Sequence, residues 1–165
     1  MIMAMVSHLQ FLLTNEAATQ ALGACIAKHV TAGFKLYLQG DLGAGKSTLT
    51  RAILRALGVT GTLRSPSYAL VEPYDGVLAS GGTIHHFDFY RMDAQPLGWR
   101  DAGFAEAFEA PHAAIVEWPQ YAKGLPAPTL ALAISADPSN GARQVLCMLN
   151  TENAALLKDL QGFAA

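Results

Sequence analysis

The chain is short of charge and of cysteine. Only 15% of its 165 residues are Asp, Glu, Lys or Arg, against 52% that are apolar. Chains that stay disordered lack apolar surface to bury, and this composition is the opposite case. A domain of this size buries about 70% of the surface its unfolded chain exposes, so a full core is feasible. The two cysteines, Cys25 and Cys147, each lie in an apolar stretch with no neighbouring His or second Cys. That argues against a disulfide scaffold and for buried free thiols in a reducing compartment.

A basic excess is missing too. Lys and Arg total 11 against 13 Asp and Glu, for a formal net charge of −2, and the cations are scattered. A surface that grips tRNA or DNA directly usually needs a clustered positive stripe, which this sequence does not supply. No apolar run approaches the ~20 residues of a membrane span. The opening "MIMAMVSHLQFLL" has neither a Lys/Arg n-region nor a clean cleavage site, so it reads as a lead into a strand rather than a signal peptide. The expectation is one cytoplasmic, soluble domain over residues 1–165.

What the sequence does contain is "GDLGAGKSTLT", between the apolar run "FKLYL" and the helical "RAILRALG". Gly40, Gly45, Lys46 and Ser47 match the phosphate-loop pattern G-x-x-x-x-G-K-[ST] without a gap. Glycines allow positive φ and let backbone N–H groups come close to phosphate oxygens. The amino terminus of the following helix adds unpaired N–H groups and its dipole. Lys46 is expected to bridge the β- and γ-phosphates, and the Ser47 hydroxyl to ligate Mg²⁺. The motif is strong for nucleotide binding and weak for the reaction, since kinases, GTPases and motor ATPases share it.

Around that loop, "SHLQFLL" reads as a first strand and residues 15–31 as a helix capped by Thr14 or Asn15 and ended by Gly33. "FKLYL" is a strand. Residues 46–57 form a second helix with Leu49, Ile53, Ala56 and Leu57 on its inner face, Thr50, Arg51 and Arg55 elsewhere, and Gly58 as cap. "YALVEPY" and "TIHHFDFY" read as an antiparallel pair across the turn-rich "DGVLASGG". "PLGWRDAGFAEAFE" suggests one or two short helices, and "HAAIVE" a strand. "TLALAIS" and "RQVLCMLN" are late strands, and "NAALLKDLQGF" is a closing helix. The class is α/β: a phosphate-loop NTPase-like fold with a mixed, mainly parallel central sheet flanked by helices, plus an antiparallel hairpin.

A phosphate loop needs a second acid near its cation, usually at the carboxyl end of an apolar strand. Glu117, which ends "HAAIVE", has that placement. Asp88 in "TIHHFDFYR" is a second candidate, for orienting the attacking water. On a strand, His86, Asp88 and Tyr90 face one side while His85, Phe87 and Phe89 face the other. That alternation separates the two histidines and argues against a zinc site. In "RSPSY", Ser65 and Ser67 offer hydroxyls at a turn where such proteins often sense the γ-phosphate.

Taken in order and spacing, "GDLGAGKST", "SPSYALVEPY", "HHFDFYR" and "VEWP" resemble the bacterial TsaE (YjeE) family over roughly residues 9–150. The resemblance implies a weak, Mg²⁺-dependent ATPase of tRNA N6-threonylcarbamoyladenosine (t6A) formation. It implies TsaB and TsaD as partners, tRNA met only through them, and an ATP cycle that resets their complex between turnovers. Carried onto this chain, Lys46 and the loop Gly40, Asp41, Leu42, Gly43, Ala44 and Gly45, with Ser47 and Thr48, hold the phosphates. Ser47 and Glu117 hold Mg²⁺, and Trp118 sits beside them. Asp88, Glu117 and Lys46 are catalytic, and Arg64-Ser65-Pro66-Ser67 forms a switch-like loop. Asn15, Glu16, Thr19 and Arg143 approach the adenine.

Three rivals are weighed. A GTPase needs an N-K-x-D-like element, which is absent, and the D-x-x-G at Asp159 falls in the tail. A small-molecule kinase needs an Arg-rich lid, whereas the arginines here are dispersed. A nucleotide-dependent binding module with little hydrolysis is the third.

Overall fold

The computed structural model describes residues 6–66, 69–92, 98–150 and 152–164. Ser67 and Tyr68, and part of the segment expected to hold short helices, lie outside the described residues. Seven strands form one sheet: β1 (Val6–Leu13), β2 (Lys35–Gln39), β3 (Val71–Tyr74), β4 (Ile84–Asp88), β5 (Ala113–Glu117), β6 (Leu130–Ala136) and β7 (Arg143–Asn150). Among the described residues three α-helices accompany them: α1 (Glu16–Ala27), α2 (Lys46–Ala56) and α3 (Ala154–Ala164).

The strand order is β1-β7-β6-β2-β5-β4-β3. The central pairs β6–β2, β2–β5 and β5–β4 are parallel, while β1–β7, β7–β6 and β3–β4 are antiparallel. The sheet is therefore mixed, with a parallel middle, and β3–β4 is the expected antiparallel hairpin. Parallel strands buried on both faces read as continuous apolar runs. In β5, "AAIVE", all five residues are buried, the glutamate included.

The two-residue alternation of a strand divides the core into two layers. Leu36 and Leu38 of β2 and Ile115 of β5 pack with Leu22 and Ile26 of α1, Leu49 and Ile53 of α2, and Leu156 and Leu160 of α3. Tyr37 and Val116 face the other way, against Phe87, Phe89, Trp99 and Phe108. Burying each such aliphatic side chain stabilises the fold by about 1.5–3 kcal/mol. Phe87 stacks on Phe108 at 5.2 Å and on Phe89 at 5.1 Å, so an aromatic layer covers the face opposite the helices. Among the described residues, one short 3₁₀ turn, Ala105–Phe108, lies in the stretch expected to hold one or two short helices, and another, Pro119–Tyr121, follows β5.

Asn15 caps α1, its Oδ1 accepting the Ala18 N–H at 2.9 Å. The helix stops at Ala27 rather than 31, because tighter turns follow, with His29 N–H donating to Ile26 O and Val30 N–H to Ala27 O. Gly23 costs α1 about 1 kcal/mol of propensity, but a Cβ there would meet the Ala52 Cβ at 2.6 Å. Its missing side chain sets how closely α1 packs on α2. Within α2, Thr50 departs from expectation. It is buried, its hydroxyl donating to Lys46 O at 3.0 Å, and Leu54 shares the inner face while Ala56 is exposed.

Candidate active site

Parallel register puts the carboxyl ends of β2, β5 and β4 on one edge. Leu38 pairs with Glu117, and Glu117 pairs with Asp88. The loop leaving β2, residues 40–45, opens on the same edge and runs directly into α2. The two acids chosen from sequence are therefore neighbours, and both border the phosphate-loop motif. This is where an open α/β sheet offers a ligand crevice.

The loop needs its glycines. Gly40, Gly43 and Gly45 have φ of 153°, 80° and 112°. A Cβ on Gly40 would meet Ile134 O at 2.4 Å, so the loop lies hard against β6. Ala44 is buried and its N–H donates to Asp41 O at 3.0 Å, while Leu42 at the tip is 70% exposed. Lys46 is buried, its ammonium donating to Gly40 O at 2.5 Å and Asp41 O at 2.9 Å. The same nitrogen lies 4.4 Å from the Trp118 ring centroid. Burial pushes the Lys46 ammonium below its usual range, and Glu117, Asp88 and Asp41 oppose that shift.

Glu117 is 2% exposed and has both carboxylate oxygens occupied. Ser47 Oγ donates to Oε1 at 3.0 Å, and His86 Nε2 lies 2.6 Å from Oε2. Ser47 and Glu117, the two residues expected to share a cation, are thus brought together across 70 residues of sequence. Asp88 is part-buried, and its Oδ1 accepts the Tyr90 N–H at 3.0 Å. Burial raises the Asp88 carboxyl above its usual range, and Glu117 pushes the same way against the Tyr90 N–H. Trp118 has φ of 57°, a left-handed conformation that bulky residues rarely take. The turn aims its ring across the site, where it packs on Tyr90 at 4.9 Å and Tyr121 at 5.6 Å.

Two clefts flank the loop. One, of ≈ 330 Å³, is bordered by Leu42, Gly43, Lys46, Ser47, Ser65, Asp88, Glu117 and Trp118. The other, of ≈ 380 Å³, is bordered by Leu13, Asn15, Glu16, Thr19, Ala44, Ile134 and Gly141. Gly45, Thr48 and Arg143 border both, so the two join at the start of α2. The residues expected near an adenine and those expected near phosphates thus fall into adjoining clefts. Asp41 contributes its carbonyl to Lys46. Ser67 lies outside the described residues.

Sequence reasoning left His86 without a role. The available signal was the alternation in "IHHFD", which puts His86 and Asp88 on one face of β4 and so on the side of Glu117. His85 points to the opposite face, where its ring meets Phe87 at 6.1 Å and His112 at 5.3 Å. The two histidines do not converge.

A family model described as "Threonylcarbamoyl adenosine biosynthesis protein TsaE" matches residues 13–145. The chain is 35% identical over 123 residues to the tRNA threonylcarbamoyladenosine biosynthesis protein TsaE of Haemophilus influenzae, covering 74% of this chain and 75% of that protein. It is 31% identical over 128 residues to the protein of the same name from Synechocystis, covering 73% and 76%. Among solved structures it is similar to the crystal structure of Bacillus subtilis YdiB. The TM-score is 0.75 at 26% identity, over 96% of this chain and 97% of that one.

Proposed function

The chain belongs to the TsaE family, and from that premise we propose that it is a Mg²⁺-dependent ATPase supporting t6A formation on tRNA. Its partners in this reading are TsaB and TsaD, and its ATP cycle resets their complex between turnovers. The names of its relatives support the tRNA-modification role. The net charge of −2 supports contact with tRNA through partners rather than directly. No helix among the described residues is long and apolar enough to cross a membrane, and the reading assigns the protein to the cytoplasm.

One observation carries the ATPase reading: the Ser47–Glu117 pair, 3.0 Å apart, beside the buried Lys46 at the mouth of two joined clefts. A serine hydroxyl and a carboxylate are the hard oxygen donors that Mg²⁺ takes, so the donor set fits that ion. Ser47 and Glu117 would hold Mg²⁺, which would neutralise charge developing on the phosphates. The loop N–H groups and the start of α2 bind the polyphosphate, and Lys46 adds a positive charge. Arg143 stands between the phosphate cleft and the base cleft, and Thr48 lines both. Asp88, with Glu117 beside it, orients the attacking water in line with the scissile bond. Ser65, which borders the phosphate cleft, offers a hydroxyl that senses the γ-phosphate and its release on hydrolysis.

The test is multi-turnover t6A formation by TsaB and TsaD, with and without this protein and ATP, alongside phosphate release. The reading expects product beyond one equivalent only when both protein and ATP are present, and expects Lys46→Ala to abolish that. Sustained product with phosphate release at background would favour a nucleotide-dependent binding module.

A further inference from the structure

We propose that His86 is a positioning residue that holds the Glu117 carboxylate in the orientation its cation requires. The inference rests on the Mg²⁺ reading of Ser47 and Glu117. His86 on β4 and Glu117 on β5 are 4% and 2% exposed, and their contact at 2.6 Å is among the shortest polar contacts of the site. It leaves a definite division of labour. Oε2 faces the imidazole, and Oε1 faces the Ser47 hydroxyl at the start of α2.

The tautomer follows from the surroundings. His86 Nδ1 is buried and has no hydrogen-bond partner among the described residues. Hydrogen on Nε2 makes that nitrogen a donor to Oε2 and leaves Nδ1 as a bare lone pair. Hydrogen on Nδ1 instead would set the Nε2 lone pair against a carboxylate oxygen and bury an N–H with no acceptor. The first arrangement is the one the geometry supports.

The consequence concerns which oxygen serves the ion. The imidazole keeps Oε2, whereas the hydroxyl that faces Oε1 belongs to Ser47, the other proposed ligand, so Oε1 is the oxygen offered to the ion. Without the imidazole, Oε2 would be a buried acceptor lacking its donor. The carboxylate would then be free to turn toward the Lys46 ammonium, which borders the same cleft. That would set the acid on the phosphate-binding lysine instead of on the cation. Partners that orient a metal ligand in this way typically alter metal affinity by about 10–100-fold when removed.

The experiment compares wild type with His86→Leu, which fills the space without a donor, and His86→Gln, whose amide N–H reaches about where Nε2 does. Binding of a non-hydrolysable ATP analogue is titrated against Mg²⁺, and again in EDTA. His86→Leu should raise the Mg²⁺ concentration for half-maximal binding by about 10–100-fold. Its affinity in EDTA should stay near wild type, and His86→Gln should recover most of the loss. Superimposable Mg²⁺ curves would overturn the proposal. So would a parallel loss in EDTA, which marks a merely structural role, or a glutamine no better than leucine. If wild type shows no Mg²⁺-dependent nucleotide binding, the Mg²⁺ reading falls and takes this one with it. Should His86→Leu fail to fold, ¹⁵N-edited NMR of the wild-type ring still decides. A hydrogen on Nε2 supports the proposal, and a hydrogen on Nδ1 alone overturns it.

Discussion

The Lys46 ammonium lies 4.4 Å from the centroid of the Trp118 ring, so the phosphate-loop lysine rests on an aromatic face supplied by the residue after Glu117. The contact depends on the left-handed backbone at Trp118, with φ of 57° and ψ of 49°. Holding a non-glycine residue there costs of order 1–3 kcal/mol, which the packing of Tyr90 and Tyr121 on the ring offsets.

Removing that ring should weaken nucleotide binding. Cation–π contacts contribute about 0.5–2 kcal/mol, so Trp118→Ala is expected to lose ~2–30-fold in ATP-analogue affinity, and Trp118→Phe less. Calorimetric titration measures both. Trp118 is also the one of the two tryptophans at the cleft, since Trp99 is buried with its Nε1–H donating to Lys123 O at 2.7 Å. A nucleotide-dependent change in emission should therefore disappear in Trp118→Phe. A change that survives there would mean that Trp99 reports it.

Gly40 tests the loop itself. Its φ of 153° and the 2.4 Å approach of a Cβ to Ile134 O leave no room for a side chain. Gly40→Ala should cost about 1–3 kcal/mol in backbone strain alone. At this chain length that is a fall of roughly 2–12 °C in Tm. Nucleotide binding should fall too, because the displaced carbonyl of Gly40 also holds Lys46. Gly43, where nothing approaches within 4 Å, should tolerate alanine in this steric sense and show only the cost of its positive φ. Thermal melts of the two variants separate the terms.

The contrast between those glycines also marks how far the sequence could be read. β7 runs Arg143–Asn150, as its short apolar run predicts, and the G-x-x-x-x-G-K-S stretch forms the loop its spacing requires. Both are local patterns, decided by residues a few positions apart. Glu117, Ser47 and His86 are separated by 70 and 31 residues, and their meeting follows from the order β2-β5-β4 in the sheet. Single-strand patterns fix which face a side chain takes but not which strand lies alongside. Glu117 was reachable because it ends an apolar strand. The role of His86 was not, because its partner lies on another strand. Thr50 failed for a different reason: its polarity suggested an outward position, but its hydroxyl is satisfied one turn back in its own helix by the Lys46 carbonyl, which lets it be buried.

Asp88 should behave as a group kept for function at a cost in stability. Burial holds its carboxyl above the ordinary range, with Glu117 adding to that shift. Between the ordinary value and the raised one, the folded state binds more protons than the unfolded state. Stability from this group is therefore present at low pH and lost as pH rises through the folded value. Near neutrality the ionised carboxylate is a net cost. Asp88→Asn removes the charge while keeping an acceptor for the Tyr90 N–H, so its Tm should exceed that of wild type near pH 7. The gap should close toward pH 3, below the carboxylate range. In the same variant, turnover with TsaB and TsaD should drop by at least ~10²-fold with binding retained. Unchanged turnover in the assembled complex would remove Asp88 from the water-orienting role.

Arg143 separates the two clefts, and its variants separate phosphate from base recognition. It is the first residue of β7, its Nη1–H donates to Gly141 O at 3.2 Å, and its Nε would lie 3.4 Å from a Cβ on Gly45. That places a permanent cation over the loop's last glycine, on the proposed path of the polyphosphate. A hydrogen bond to a charged group contributes about 1.5–3 kcal/mol, so Arg143→Ala should weaken ATP and GTP alike by ~10–150-fold. Glu16 borders only the base side of the site, at the first turn of α1. Glu16→Ala should leave phosphate affinity near wild type and change the ATP-to-GTP ratio. Asn15→Ala is the poorer probe, since it also removes the α1 cap and about 1 kcal/mol with it. Equal loss for both nucleotides in Glu16→Ala would move the base out of this cleft.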